Sequence, residues 1–186
     1  MKRAFDLAAA GGGLLALLVP LAVLWLVVRL TSPGPVLYWS RRVGRGGRLF
    51  SMPKFRTMRI DTPEVATHLL EDPDHWLTPV GATLRRLSLD ELPQLWSVLI
   101  GDMSLVGPRP ALFNQDDLIA ARAQAGVDRL RPGVTGWAQI NGRDELSITA
   151  KVALDAEYLQ RRSFAFDLMI LARTVAPVVT GRGVTR

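Results

Sequence analysis

Residues 88–110 contain the side chains best suited to chemistry. Two adjacent carboxylates, Asp90 and Glu91, lie just ahead of Pro93. Because proline is tolerated in a helix only within its first turn, this order predicts a helix that begins near Asp90. Both carboxylates would then lie at the positive end of a helix dipole, where anions are stabilised and where phosphates or metal ions are readily received.

An apolar face at helical spacing supports this predicted helix. It consists of Leu92, Leu95, Trp96 and Leu99. An acidic pair at a helix start often does no more than cap the helix, and Ser88 with Glu91 fits a capping box. The pair alone therefore does not define a site.

A second feature of the same stretch is the loop Gly107-Pro108-Arg109-Pro110. Its prolines make it stiff, so that it can hold one guanidinium in a fixed direction. A guanidinium held in this way suits the bidentate binding of phosphate. An acid pair together with a clamped arginine predicts phosphoryl chemistry.

The composition limits the classes of function open to this chain of 186 residues. It has no cysteine, which excludes disulfides, thiol catalysis and cysteine-ligated metals. Hydrophobic residues make up 48%, which is typical of one domain with a real core. The net charge of +6 indicates an anionic partner, either nucleic acid, anionic lipid or a phosphorylated substrate. His68 and His75 have no motif around them and are interpreted as ordinary surface residues.

Residues 7–28 carry no charge and have about the length that a membrane-crossing helix needs. Basic residues flank this segment on both sides, with Lys2 and Arg3 before it and Arg29 directly after it, and positive charge favours the cytoplasmic side. Pro20, near the middle, would break or bend the helix there. A re-entrant helix that dips into one leaflet and returns accounts for these features together. An ordinary single-pass anchor is the alternative.

The strands predicted after the breaker at 31–35 are few and short. They cover 36–39 and 54–58, around a turn rich in glycine and arginine. Residues 131–143 contain three glycines and a proline, so we predict loops around a short strand there, not a helix.

The predicted helices outnumber the strands. They cover 64–71, 112–125, 147–162 and 164–179. Asn114 is the predicted cap of the second of these helices, and the last one lies either at a membrane surface or in an ordinary core. Because no βαβ repeat is present, we predict a mainly helical α+β fold.

These motifs closely resemble the signature of the bacterial sugar transferases, the monotopic phosphoglycosyl transferases. That family has an Asp-Glu pair followed by Leu-Pro, as at residues 90–93, and then a Gly-Pro-Arg-Pro loop, as at 107–110. It also has a Lys-Phe-Arg/Lys-Thr-Met element, as at 54–58. Its string Arg-Pro-Gly-x-Thr-Gly-x-Ala-Gln-x-Asn-Gly-Arg is matched at 131–143. The resemblance covers about residues 1–180.

The resemblance implies a re-entrant membrane helix over 1–32 and a catalytic domain with amphipathic interfacial helices over 33–186. The domain would lie on the cytoplasmic face of the inner membrane. Asp90 would be the nucleophile and a magnesium ligand, and Glu91 its catalytic partner and a second metal ligand. Four basic residues would bind the phosphates of the substrate: Lys54, Arg85, Arg109 and Arg143.

The implied reaction transfers a sugar-1-phosphate from a UDP-sugar to a polyprenyl phosphate such as undecaprenyl phosphate, with release of UMP. It would pass through a covalent phosphosugar-aspartyl intermediate, with Mg²⁺ as the cofactor, and would be the first membrane step of polysaccharide or glycoconjugate synthesis. The implied partners are the UDP-sugar, the polyprenyl acceptor and membrane lipid. No nucleic acid is expected, and a homo-oligomer is left open.

Two other classes of function are weighed against this one. A membrane-anchored basic module for nucleic acid or anionic lipid would cluster its basic residues with stacking aromatics, whereas here they are scattered beside glycine and proline turns. A catalytically inactive scaffold of an envelope-polysaccharide assembly complex would have lost a catalytic residue, and none is visibly lost. The chain departs from the family at three places. It has Val19 before the proline where the family has serine, and Ser97 where the family commonly has asparagine. Arg161-Arg162 replace an asparagine that the family usually has between Tyr158 and Ser163.

Overall fold

The computed structural model describes residues 1–63, 70, 72–142 and 145–180, with side chains as far as residue 174. Helices α1 to α8 cover Lys2–Ala16, Leu18–Thr31, Gly81–Arg86, Leu95–Ile100, Asp116–Gln124, Trp137–Ile140, Ile148–Arg161 and Phe164–Thr180. Strands β1 to β4 cover Leu37–Val43, Leu49–Phe55, Ser104–Val106 and Gly133–Thr135. Short 3₁₀ helices cover Arg45–Gly47, Pro73–Trp76, Leu89–Gln94 and Val127–Arg129. The predicted mainly helical α+β class is confirmed.

Strands β1 and β2 form an antiparallel hairpin in which Leu37 lies opposite Phe55. Gly46 and Gly47 reverse the chain in the left-handed region, with φ of 66° and 76°, which glycine adopts at no steric cost. The strand predicted at 36–39 is confirmed and is longer than expected. The strand predicted at 54–58 only overlaps the end of β2, because the chain beyond it changes partner and Met58 pairs with Leu77 across an isolated bridge.

Strands β3 and β4 pair in parallel, and three glycines allow their flanking loops to meet backbone to backbone. A Cβ added to Gly133 would lie 2.1 Å from the Gly107 nitrogen, and one added to Gly136 would lie 2.0 Å from the Gly107 oxygen. Side chains cannot fit at such distances, so these positions require glycine. The predicted short strand within 131–143 is confirmed, but the expectation that this stretch contains no helix is wrong. Residues after Gly136 carry no breaker and close one helical turn, α6, with a bond from the Ile140 N–H to the Gly136 carbonyl of 3.2 Å.

Among the described residues, the core consists of three apolar clusters. The first joins α7, α8 and β3 through Tyr158, Phe166, Ile170 and Val106. This contact shows the last helix packed in the core, which is one of the two alternatives for it. The second cluster joins α1, β2 and α4 through Ala10, Met52 and Val98, and the third joins α2, β2 and α3 through Val28, Phe55 and Leu84. Strand β2 therefore packs against both N-terminal helices.

Helices α1 and α2 are bent by 62° at Leu17. The bend lies three residues before Pro20, because the proline occupies the first turn of α2, where its missing N–H disturbs the helix least. The predicted bend is confirmed and its predicted position is corrected. No single helix in the described ranges is long and apolar enough to cross a membrane, whereas α1 and α2 together pass that test of length and composition.

Polar side chains tie the start of α1 to the rest of the molecule. The guanidinium of Arg3 donates to the carbonyls of Val98 and Leu99 at 2.6 and 2.9 Å, at the end of α4. The buried carboxylate of Asp6 accepts from the Ser104 hydroxyl at 2.8 Å. The apolar helix therefore begins in contact with the body of the domain.

The end of α2 is tied to the same body. Arg56, which follows β2, donates to the Ser32 carbonyl at 3.0 Å and to the Ser32 hydroxyl at 2.8 Å. Its guanidinium also bonds the Pro33 carbonyl. Both ends of the bent helix pair thus contact one folded unit.

The remaining helix predictions fare differently. The helix predicted at 147–162 is confirmed as α7, with the Ser147 hydroxyl accepting from the Ala150 N–H at 3.2 Å. The helix predicted at 112–125 begins later, as α5, and its N-cap is Gln115, so the prediction of Asn114 is wrong. The reason is that Leu112 bridges Arg42 of β1 and keeps the chain extended there. The helix predicted at 64–71 lies almost entirely outside the described residues.

Candidate active site

The acid pair lies on the 3₁₀ helix Leu89–Gln94, which continues directly into α4. A helix start near Asp90 is therefore confirmed. It is preceded by Ser88, whose positive φ of 54° reverses the chain. The capping-box alternative is wrong, since no described side chain caps this helix and the Glu91 carboxylate pairs with Lys54 and Arg109. Helix α4 has six residues, so the dipole invoked for the acid pair is short.

The predicted apolar face of this helix is only partly buried. Leu95 and Leu99 pack against the cluster around α1, but Trp96 is 51% exposed and its predicted place on that face is wrong. The fully buried stripe runs instead through Gln94, Ser97 and Val98, because that side faces the core. Within the described residues, the Gln94 Nε2 and Ser97 Oγ atoms are buried without a hydrogen-bond partner.

The carboxylate of Glu91 is held by two cations from separate parts of the chain. Lys54 Nζ, on β2, lies 2.8 Å from Oε1. Arg109 Nη2 also lies 2.8 Å from Oε1, and its Nη1 lies 3.4 Å from Oε2. Burial alone would raise the pKa of Glu91, but Arg109 and Lys54 outweigh it and hold that pKa well below its ordinary value. Glu91 is therefore an ionised, fixed group.

The neighbouring carboxylate of Asp90 has a different environment. It is only 7% exposed, and within the described part of the chain it makes no hydrogen bond or ion pair. Burial, together with the charge of Glu91, raises its pKa above the ordinary value, although Lys54, Arg85 and Arg109 act in the opposite direction. Asp90 is thus a desolvated carboxylate close to three cations but bonded to none.

Two of these cations are themselves partly desolvated. Burial lowers the pKa of Lys54 below its ordinary value, against the attraction of Glu91. Burial likewise lowers the pKa of Arg85, which donates to the Thr57 hydroxyl at 3.0 Å and to the Met58 sulfur at 3.2 Å. Arg85 is therefore oriented by the segment after β2 and acts on the acid pair through its charge.

The loop that carries Arg109 is fixed by backbone and side-chain bonds. The Gly107 N–H donates to the Thr135 carbonyl at 2.9 Å, which continues the pairing of β3 with β4. On the other side, the Val43 N–H of β1 donates to the Ala111 carbonyl at 3.0 Å. The sequence predicted a stiff loop from its prolines, and these bonds add the anchors that its composition could not reveal.

The structure brings together most of the residues predicted for the site. Asp90, Glu91, Lys54 and Arg109 form one cluster, with Arg85 beside it. Arg143 lies outside the described residues. The catalytic and binding roles assigned to all six residues stay predictions.

Sequence reasoning missed the groups that support this cluster. Arg42 donates to the Pro110 carbonyl at 3.1 Å, and Arg122 donates to the Arg109 carbonyl at 2.7 Å while pairing with Asp155. These residues lie on a strand and two helices with no distinctive spacing. Neither their types nor their spacing marks them in the sequence as buried or as part of a site.

The donor set is compatible with a magnesium ion held partly by substrate. Among the described residues, no group of three or more histidine, cysteine, aspartate or glutamate side chains could hold a metal. Magnesium does not need such a group, since it commonly uses one or two carboxylates with substrate phosphates and water. The unpaired carboxylate of Asp90 fits this chemistry. Glu91 fits it less well, because its oxygens already accept from Lys54 and Arg109.

Comparison with known proteins gives the class of the molecule. The family described as bacterial sugar transferase matches residues 1–181. The chain is 44% identical over 184 residues to the "Uncharacterized sugar transferase EpsL" of Bacillus subtilis (strain 168), covering 99% of this chain and 90% of that protein. The chain therefore belongs to the bacterial sugar transferase family, and it is an enzyme of the phosphoglycosyl transferase class.

Two further relatives carry names that state a reaction. The "UDP-glucose:undecaprenyl-phosphate glucose-1-phosphate transferase" of Caulobacter vibrioides is 44% identical over 189 residues, covering 96% of this chain and 70% of that protein. The protein of the same name from Escherichia coli (strain K12) is 40% identical over 183 residues, covering 94% of this chain and 39% of that protein. The similarity extends over nearly the whole chain in each case.

The two adjacent acids should have opposite effects on stability when they are neutralised. The folded-state pKa of Asp90 is raised, so ionising Asp90 destabilises the folded protein. This penalty is absent below the unfolded-state pKa of about 3.9 and is fully present above the raised folded-state pKa. Asp90→Asn should therefore raise the melting temperature at neutral pH, by about 2–4 °C for each kcal/mol of penalty removed.

The folded-state pKa of Glu91 is lowered, so the stabilisation that ionised Glu91 provides is present above about pH 4.3 and is lost as pH falls further. Glu91→Gln should lower the melting temperature at neutral pH.

Thermal unfolding of the detergent-solubilised protein in EDTA, from pH 3 to pH 8, measures both effects. The Asp90→Asn difference should shrink toward acid, and so should the Glu91→Gln difference, with opposite signs. A lower melting temperature for Asp90→Asn at neutral pH would show that Asp90 is a paired, stabilising group.

Proposed function

We propose that this chain transfers a sugar-1-phosphate from a UDP-sugar to a polyprenyl phosphate, with undecaprenyl phosphate as the acceptor, and releases UMP. The names of its relatives support the donor and acceptor classes. The observation that carries the mechanism is the contrast within the acid pair, where Glu91 is bound by two cations and Asp90 is buried and unbonded within the described residues. An unbonded carboxylate near positive charge is suited to nucleophilic attack.

In the first step, an Asp90 oxygen attacks the phosphorus of the sugar-1-phosphate unit. A bond forms between that oxygen and phosphorus, and the bond from the same phosphorus to the bridging oxygen of the diphosphate breaks. UMP leaves with the bridging oxygen. The product on the enzyme is an acyl phosphate that joins Asp90 to the sugar phosphate.

The cations around the acid pair stabilise the charge that this step moves onto the leaving phosphate. Arg109 has the fork geometry for a phosphate, and its bond to Glu91 sets the direction of its guanidinium. Lys54 supplies a second positive charge on the same side, and Arg85 a third. We also propose that Arg143, as the family resemblance implies, binds the diphosphate of the donor. When bound, magnesium would neutralise phosphate charge, with Asp90 as its best-suited protein ligand.

In the second step, a phosphate oxygen of the polyprenyl acceptor attacks the same phosphorus. The bond to Asp90 breaks, the carboxylate is regenerated, and the product is a polyprenyl diphosphate sugar. An acceptor with a lipid tail presents its phosphate at a membrane surface. We therefore infer that α1 and α2 enter one leaflet and return, with the catalytic domain on the cytoplasmic face.

Apolar side chains at the bend support this orientation. Leu18 and Val19 are 64% and 71% exposed, which is unfavourable in water and favourable in lipid. The two ends of the helix pair, in contrast, are tied to the domain by Arg3 and Arg56. A helix pair that begins and ends on one folded unit suits a re-entrant segment better than a span.

Release of UMP from a panel of UDP-sugars tests the reaction. The detergent-solubilised protein, supplied with magnesium and undecaprenyl phosphate, should release UMP from at least one donor, and Asp90→Asn should reduce the rate by at least about 10³-fold. Asp102→Asn is the matched control, since it neutralises an aspartate that takes no part in the cluster, and it should keep full activity. Release that survives in Asp90→Asn contradicts the assignment of the nucleophile. A folded wild-type protein that releases no UMP from any donor would favour the inactive scaffold.

Labelling of single cysteines tests the orientation of the helix pair. The chain has no cysteine, so each variant carries one reactive thiol. Ala4→Cys and Thr31→Cys, at exposed positions near the two ends, should react with a membrane-impermeant maleimide from the cytoplasmic side only, and Val19→Cys should be protected. Reaction of the two end positions from opposite sides of the membrane would instead indicate a single-pass anchor.

A further inference from the structure

Arg122 and Asp155 form a buried ion pair behind the acid–base cluster. Arg122, on α5, places its Nε and Nη2 atoms 2.9 and 2.6 Å from Asp155 Oδ2, on α7. The two residues are 9% and 1% exposed. A buried ion pair often stabilises a fold no better than apolar residues of the same size, so its geometry is more informative than its existence.

The same guanidinium makes a third bond, which reaches the site. Its Nη1 donates to the backbone carbonyl of Arg109 at 2.7 Å. The side chain of Arg109 is the one that holds Glu91. A planar guanidinium donates in fixed directions, so Asp155 sets the direction in which Arg122 reaches the loop.

A cavity of about 260 Å³ lies between the loop residues Pro108, Arg109 and Pro110 and helix α5, and Arg122 is part of its wall. The four successive carbonyls of residues 108–111 all accept hydrogen bonds. The Gly133 and Val43 N–H groups donate to the first and the last of them, and the side chains of Arg122 and Arg42 donate to the carbonyls of Arg109 and Pro110. The backbone of Arg109 is therefore held at this point by the Arg122 side chain.

We propose that Arg122, held by Asp155, is a positioning residue for Arg109. It fixes the backbone of Arg109 so that the Arg109 guanidinium stays directed at Glu91 and at the phosphate of the donor. Arg122 itself touches no substrate. The part of this inference that concerns the donor rests on the proposed function, whereas the part that concerns Arg109 and Glu91 does not.

Arg122→Lys separates the charge of Arg122 from its geometry. The ammonium retains the charge opposite Asp155, but one nitrogen cannot bond both that carboxylate and the Arg109 carbonyl in the original directions. A displacement of about 1 Å in a catalytic group can cost about 10²-fold in rate. We expect kcat/KM for the UDP-sugar to fall at least about 10-fold in this variant.

A double-mutant cycle with Arg109→Ala tests whether Arg122 acts through Arg109. If it does, Arg122→Lys should lower kcat/KM at least about 10-fold in the wild-type background and by less than about 2-fold when Arg109 is already alanine, because residues that act as a unit are not additive. The same decrease in both backgrounds overturns the proposal, since it would show a general structural effect.

Arg161→Lys is the matched control. Arg161 also pairs with a carboxylate of α7, Glu157, but on the surface and away from the loop. It should keep kcat/KM within about 2-fold of the wild type, as exposed pairs contribute little. A second variant, Arg122→Met with Asp155→Leu, removes both buried charges together. If that variant unfolds at the wild-type temperature and also has wild-type kcat/KM, the proposal is wrong.

A measurement without substrate keeps this inference separate from the proposed function. In spectra that correlate the arginine side-chain Nε with its proton, the Arg109 signal is identified by its loss in Arg109→Lys. It should shift or broaden in Arg122→Lys and stay in place in Arg161→Lys. If no donor yields UMP, the proposed function fails and this spectrum decides the inference: an Arg109 signal unchanged in Arg122→Lys overturns it.

Discussion

The pairing of one carboxylate with two cations from separate parts of the chain is the interaction on which the site depends. Glu91 accepts from Lys54 of the β-hairpin and from Arg109 of the loop after β3. These bonds hold Glu91 ionised and in place. Since Lys54 and Arg109 bond to Glu91, they act on the adjacent Asp90 only through their charge. Burial of Asp90 raises the pKa of its carboxyl group. Two neighbouring acids thus acquire different properties from their surroundings, which is a common basis for a division of roles in catalysis.

The same packing links this cluster to the bent helix pair. Helix α4 continues from the 3₁₀ helix that carries the acid pair, and α1 packs along it through Ala10 and Val98. Polar contacts reinforce the link, with Lys2 2.6 Å from Asp167 of α8 and Asp167 also accepting from the Tyr158 hydroxyl at 2.7 Å. These contacts therefore fix the position of the acid pair relative to the helix pair that we propose to enter the membrane. If the helix pair enters the membrane as we propose, the phosphate of a lipid-linked acceptor would meet the acid pair at a fixed depth.

Much of the fold could be predicted from the sequence, because local rules determine it. The proline predicts the bend, the glycines predict the hairpin turn, and the pattern of residues 147–162 predicts the helix that α7 forms. The failures occurred where distant parts of the chain decide the outcome. Asn114 is not a cap because β1 keeps Leu112 extended, and Trp96 is exposed because the core lies on the Ser97 side of its helix.

The candidate site followed the same division. Its motif residues Asp90, Glu91, Lys54 and Arg109 could be selected from their types and from the family resemblance. Their opposite electrostatic environments could not, since burial and bond partners arise only when β2 and the loop after β3 meet the 3₁₀ helix. The supporting residues had no motif at all. Arg122 lies in an alanine-rich helix, and its partner is 33 residues further along the chain.

Asp90, and not Glu91, is the residue that we propose to form the bond to phosphorus. The most direct measurement is the intact mass of the protein after brief incubation with a UDP-sugar donor and magnesium in the absence of acceptor, followed by peptide mapping. We predict a mass increase of one sugar phosphate that maps to Asp90, disappears on addition of undecaprenyl phosphate, and is absent from Asp90→Asn. An adduct on Glu91, or UMP release that needs the acceptor and leaves no adduct, would contradict this assignment.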